Sequence, residues 1–107
     1  MKKKTKRRYP THDEIVRKQL KNDPEFAVEY LKVALEEATD EDGRAVLLSA
    51  IRRIAEVHGI AKIARAAGIK RESLSRALSV RGNPRLDTLY AVLRAMGLQL
   101  TVRPAHA

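Results

Sequence analysis

Apolar residues recur at helical spacing along most of this chain, and the polar residues between them mark where each helix begins and stops. Thr11 and Glu14 have the spacing of a capping box, which predicts a first helix through about Lys21 with Ile15, Val16 and Leu20 as its apolar residues. Asn22 and Asp23 break it. Asp23 can cap a second helix, with Pro24 at the first helical position, where its missing N–H costs nothing. Phe26, Ala27, Tyr30, Leu31, Ala34, Leu35 and Ala38 then form an apolar stripe, opposite Glu25, Glu29, Lys32 and Glu36. Thr39 can cap a third helix, and Asp40, Glu41 and Asp42 suit the positive end of its dipole. Leu47, Leu48, Ile51, Ile54, Ala55 and His58 mark its inner face, and Gly59 suits its end. A fourth helix is expected over about 60–67 and a fifth over about 71–79. Gly82, Asn83 and Pro84 form a loop. A sixth helix carries Leu86, Leu89, Val92, Leu93 and Met96 and stops at Gly97. Leu98, Leu100 and Val102 then alternate with Gln99 and Thr101, a period of two that predicts a short strand.

The pattern therefore predicts an all-α fold, a bundle of five to six helices followed by a short C-terminal β-strand. One strand cannot satisfy its own backbone groups. A second copy of the chain, paired antiparallel about a two-fold axis, would complete it and make a homodimer. The alternative is an extended tail lying on the helices.

The stretch IAKIARAAGIKRESLSRALS, residues 60–79, is the most specific part of the pattern. Two short helices packed closely need a small residue at their contact, which Ala64 supplies. The turn favours a left-handed backbone, which Gly68 adopts without a Cβ clash. Ile63, Ile69 and Leu74 plug the space between the helices. This is the layout of a helix-turn-helix, whose second helix meets base edges in the major groove near its N-terminal end. Arg71 and Arg76 can grip guanine O6 and N7, and Glu72 can accept from cytosine N4. Ser73 and Ser75 are short donors for phosphate or base edges, although Ser73 has the contact with the fourth helix as its other option. Lys62, Lys70, Arg81 and Arg85 are candidates for phosphate contacts, and Asn83 joins them from the loop. Phosphate contacts set register and salt-sensitive affinity; base contacts set sequence.

Charge reinforces this reading. The 107 residues carry a formal net charge of +9, unevenly placed. Residues 1–8 hold six basic groups and no acid, and residues 23–42 hold eight acids against Lys32 alone. Residues 43–107 hold twelve basic groups against Glu56, Glu72 and Asp87. Two interaction surfaces of opposite sign are expected. The organisation that follows is a disordered basic tail at 1–10, N-terminal helices at 11–42, and a DNA-binding domain with its C-terminal strand at 43–103.

Other classes recede. With 4% aromatic residues the core must be mainly aliphatic, and with no cysteine there are no disulfides or thiolate zinc sites. That suits a cytoplasmic location. No apolar run approaches the roughly 20 residues of a membrane span, and no apolar segment follows the basic start as in a signal peptide. His12, His58 and His106 lack ligand spacing, so no metal or cofactor is expected; His58 sits where it can serve the last carbonyls of its helix. Ser49, Ser73 and Ser75 lack the surroundings of a nucleophile, and no enzyme activity is expected.

Residues 60–96, including GNPRLDTLYAVLRAMG, resemble the lambda-repressor-like, Cro/Xre-type helix-turn-helix domain. Residues of about 23–103 further resemble the addiction-module antidote proteins, a HigA-like antitoxin subgroup, in FAVEYLKVALEEA, IARAAGIKRESLSRALS and GNPRLDTLYAVLRAMGLQLTV. The resemblance implies a bacterial type II antitoxin that binds a RelE/HigB-like ribonuclease toxin, binds double-stranded operator DNA and represses its own operon. It also implies a helical fold and frequent dimerisation. Two features depart from the pattern: Ile60-Ala61 stands where the wider class often has a polar Gln, and the basic first eight residues have no counterpart. Since the implied toxin is basic, Glu25, Glu29, Glu36 and Glu37 become candidate toxin-binding residues, within a toxin-contacting region at 11–42. A Cro/Xre-type regulator without a toxin, and a helical interaction module that no longer binds DNA, are the alternatives.

Overall fold

The computed structural model describes residues 9–38 and 41–105. The expected disordered tail lies outside the described residues over 1–8, as do the Thr39 cap, Asp40 and His106. Six helices follow one another: α1 His12–Asn22, α2 Pro24–Glu36, α3 Glu41–His58, α4 Ile60–Ala67, α5 Arg71–Ala77 and α6 Leu86–Ala95. No helix among the described residues is long and apolar enough to cross a membrane.

The first two helix starts are made by local hydrogen bonds. Glu14 N–H donates to Thr11 Oγ1 at 3.1 Å, and Thr11 N–H donates to Glu14 Oε1 at 2.8 Å, which completes the capping box. Asp23 Oδ1 accepts from the Glu25 and Phe26 N–H groups at 3.1 and 3.2 Å. These two caps satisfy donors that a helix leaves without an internal partner.

α3 is the spine. It packs against α1, α2 and α4, while α6 packs on α4. Its buried stripe is Leu48, Ala50, Ile51, Ile54 and Ala55. Leu20 from α1, Ala27, Leu31 and Ala34 from α2, Ile63 and Ala64 from α4, and Val92 and Leu93 from α6 extend the same core. No polar or charged residue is buried among the described residues. At roughly 25 cal/mol per Å2 of apolar surface, burial on this scale supplies most of the drive to fold.

Tertiary contact shifts several boundaries from the sequence expectation. α2 stops at Glu36 rather than continuing to Ala38, because the start of α3 crosses its end. Gly43 is buried there, and a Cβ on it would run into the Glu37 carbonyl oxygen and Ala38 Cα. α5 ends at Ala77 instead of 79. Leu35 and Leu86 leave the apolar face and are more exposed than buried, at 52% and 71%. The expected C-terminal strand is absent: residues 98–105 run without a ladder, and the described residues contain no strand. The alternation is present, but nothing else among the described residues offers an edge for it to pair with. The segment instead leaves α6 through Gly97, at φ +80°, with Leu98 N–H bonded to the Leu93 carbonyl at 2.8 Å. Leu98 packs back against the core.

α1 is tied to α3 by charge. Asp13 pairs with Arg53 across the two helices and with Arg17 along its own helix at 3.1 Å. Arg17 reaches Glu56 at 3.4 Å, and Glu56 also meets Arg52 at 4.0 Å. The hydrogen bond from Arg53 is the main cause that holds the Asp13 carboxyl below its ordinary value of 3.8; Arg17 adds to it and partial desolvation opposes it. A depressed carboxylate stabilises the fold above its unfolded value and loses that contribution as pH falls through the folded one. Asp13→Asn is expected to lower the thermal midpoint at neutral pH, and the difference from the unaltered chain is expected to shrink as pH drops below 3.8. Melting curves across that range check it.

Candidate nucleic-acid interface

The corner between α4 and α5 is built as the sequence demands. Gly68 has φ +75° and ψ 28°, the left-handed conformation. Its N–H bonds to the Arg65 carbonyl at 3.2 Å, and the Ile69 N–H reaches back to the Ala64 carbonyl at 3.0 Å. This pair of bonds is a Schellman motif, which satisfies the last carbonyls of α4 and sets the exit direction. Lys70 is extended, at φ −70° and ψ 143°, and its carbonyl accepts the Leu74 N–H at 2.9 Å, which starts α5. Ile63 and Ala64 are buried on α4, and Leu74 and Leu78 are fully buried opposite them. With Leu74 and Leu78 anchored, the polar residues of α5 are left on its open side.

Arg71, Glu72, Ser73, Ser75 and Arg76 are all exposed on α5, and Lys62 and Lys70 are exposed beside it. Ser73 does not turn toward α4. It lines an open cleft with Arg76, Arg81 and Asn83, floored by Ala77 and Gly82. Arg85 stands outside that cleft, in an exposed pair with Asp87 at 3.7 Å. Lys62, Lys70, Arg71, Glu72 and Ser75 are not among its lining residues either. Among the described residues, Lys62, Lys70, Arg71, Arg76 and Arg81 have no ion-pair partner. By contrast, Arg17, Arg52 and Arg53 are all engaged by Asp13 and Glu56. An unpaired cation gives up only water and counterions when a phosphate arrives, whereas a paired one must first break its pair.

Sequence reading misses Ser79. Its Oγ donates to the Arg76 carbonyl at 2.8 Å and helps end α5, and the residue lines the same cleft. A serine just past a short helix is the signal that points to it. Gly82 has a steric role as well: it is buried, and a Cβ there would run into the Ala77 carbonyl. Of the acidic candidates, Glu25, Glu29, Glu36 and Glu37 are all exposed. Glu29 pairs with Lys32 at 3.9 Å. Only Glu29 and Glu37 border the groove between α2 and α3, and the apolar lining of that groove is the second feature the sequence does not reveal. No group of three His, Cys, Asp or Glu that could hold a metal is present among the described residues.

Gly68→Ala is expected to cost about 1 kcal/mol through its positive φ, with open space around the new methyl. Gly82→Ala is expected to cost more, because the methyl meets backbone that must shift. Denaturant unfolding of the two variants checks the order.

Residues 12–104 match the family described as "Probable addiction module antidote protein". An uncharacterized protein of Haemophilus influenzae strain Rd is 41% identical over 78 residues, which is 73% of this chain and 80% of that relative. No solved structure matches the chain. The family match spans all six helices, and the chain belongs to the addiction module antidote family.

Proposed function

We propose that this chain is the DNA-binding antitoxin of a bacterial type II toxin–antitoxin module. In this reading it neutralises a RelE/HigB-like ribonuclease toxin by direct binding and represses its own operon. The antidote family supports the toxin half. The observation that carries the DNA half is the set of unpaired cations around α5 on a corner whose buried side is fully anchored. α4 and α5 act as a Cro/Xre-type helix-turn-helix. Arg71 and Arg76 read bases from α5, with Glu72, Ser73 and Ser75 beside them. Lys62, Lys70, Arg81, Asn83 and Arg85 hold phosphates. Residues 43–103 form the DNA-binding region, and 11–42 the toxin-contacting region.

A homodimer fits the same reading. Val28, Leu31 and Leu35 of α2 face Leu98 and Leu100 across a second, nearly uncharged groove. Val102 beyond it is 95% exposed. A second copy that pairs its own 98–102 segment there would supply the backbone partner each segment needs. The two α5 helices would then reach adjacent major grooves about 34 Å apart on an inverted repeat.

Binding to the promoter of the chain's own gene tests the DNA half. Arg71→Ala is expected to lose about 1–3 kcal/mol on the operator and to relax sequence preference, while Lys62→Ala weakens all sequences alike and reduces the salt slope by about one unit. Equal losses on operator and random DNA for Arg71→Ala would remove its base-reading role. Sedimentation tests the dimer: Val102→Asp together with Leu100→Asp is expected to yield a folded monomer with weakened operator binding.

A further inference from the structure

We propose that the groove between α2 and α3 seats an amphipathic helix with basic flanks, presented by the toxin that this antidote neutralises. The inference rests on the antitoxin reading and assigns it a surface. The groove encloses about 600 Å3. Phe26 and Tyr30 line it from α2, with their rings stacked at 6.3 Å between centroids. Val33 on α2 and Val46 on α3 stand on its two sides, and each keeps about half of its surface in water, at 54% and 44%. Exposed β-branched residues facing each other across a channel between two helices offer a third helix a place to set its ridges.

The border identifies the occupant. Glu29 and Glu37 edge the groove, and Glu25 and Glu36 lie exposed on the same helix. Lys32 is the one cation of α2, and it is already turned to Glu29. A nucleic acid would meet the Glu29 and Glu37 carboxylates along this groove. A second copy docking the same face about a two-fold axis would set this acidic border against itself. A helix whose apolar stripe fills the channel and whose Lys or Arg residues meet the glutamates satisfies both features, and opposite charge speeds and orients its arrival. The groove is made by α2 and α3, so the toxin seat extends past residue 42 into the first half of α3, while the DNA-facing α5 packs on α4 and stays separate from it.

The test uses the full chain and the purified product of the reading frame adjacent to its gene. Affinity is measured by calorimetry and association by stopped flow at several salt concentrations. Val33→Asp and Val46→Asp are each expected to weaken binding by about tenfold or more. The double variant Glu29→Lys, Glu37→Lys is expected to slow association and flatten its salt dependence. Thermal midpoint and operator binding should stay near those of the unaltered chain in all three. Hydrogen exchange on the unaltered complex, which needs no variant, should show slowed amides in 26–37 and 45–50. Binding of the unaltered chain that persists within about twofold in both valine variants, or protection confined to other helices, overturns the groove while leaving the antitoxin reading intact. No binding by the unaltered chain overturns both.

Discussion

The whole structure depends on keeping water away from one stripe of α3. Ile51, Ile54 and Ala55 are 3%, 1% and 0% exposed, on the one helix that α1, α2 and α4 all pack against. No buried polar group among the described residues adds directional preference, so shape and volume must choose the packing. Ala55 is completely enclosed, so a larger side chain there has no free volume to occupy without moving its neighbours. Through this stripe, α3 fixes α2 on one side and α4 on the other. The acidic groove and the basic corner are therefore positioned by a single element, although neither is built on the centre of that stripe.

Features made by neighbours along the chain are legible in the sequence. The Thr11–Glu14 box, the Asp23 cap with Pro24, and the left-handed Gly68 each rest on residues within a few positions of one another. Features set by residues far apart are not legible in that way. The early end of α2 follows from Gly43 pressing on Glu37 and Ala38. The 98–102 alternation is a true property of the sequence, but a period of two states only that the segment suits a sheet. Whether a strand exists depends on a partner edge, and six helices offer none.

The candidate site divides in the same way. That Arg71, Glu72, Ser75 and Arg76 face outward follows from the burial of Leu74 and Leu78 on a helix with a period of 3.6. That Ser73, Arg76, Arg81 and Asn83 share one cleft does not follow from any pattern, because it depends on how the chain turns after α5. Ser79 and Gly82 govern that turn, one by a hydrogen bond to the end of the helix and the other by lacking a Cβ. The α2–α3 groove escapes a sequence reading for a related reason. On α2 alone, Phe26 and Tyr30 look like ordinary core residues and Val33 lies outside the predicted stripe; only the position of Val46 across from them leaves a channel open.

The ion pairs between α1 and α3 bear on both surfaces without belonging to either. Asp13 and Glu56 take up Arg17, Arg52 and Arg53, so the two arginines in the C-terminal half of the spine are compensated where they stand. Lys62, Lys70, Arg71, Arg76 and Arg81 keep their charge uncompensated around α4 and α5, and Glu25 and Glu36 keep theirs on α2. A helix with its side chains is about 10 Å across, and at physiological ionic strength the screening length is about 8 Å. One intervening helix is therefore enough to damp the attraction between two fields of opposite sign. Were Arg52 and Arg53 free, they would add to the positive field along α3 and weaken the contrast with the acidic border of the groove. Local pairing on α1 and α3 thus lets one small bundle present two surfaces of opposite charge, each able to attract its own partner while the other is occupied.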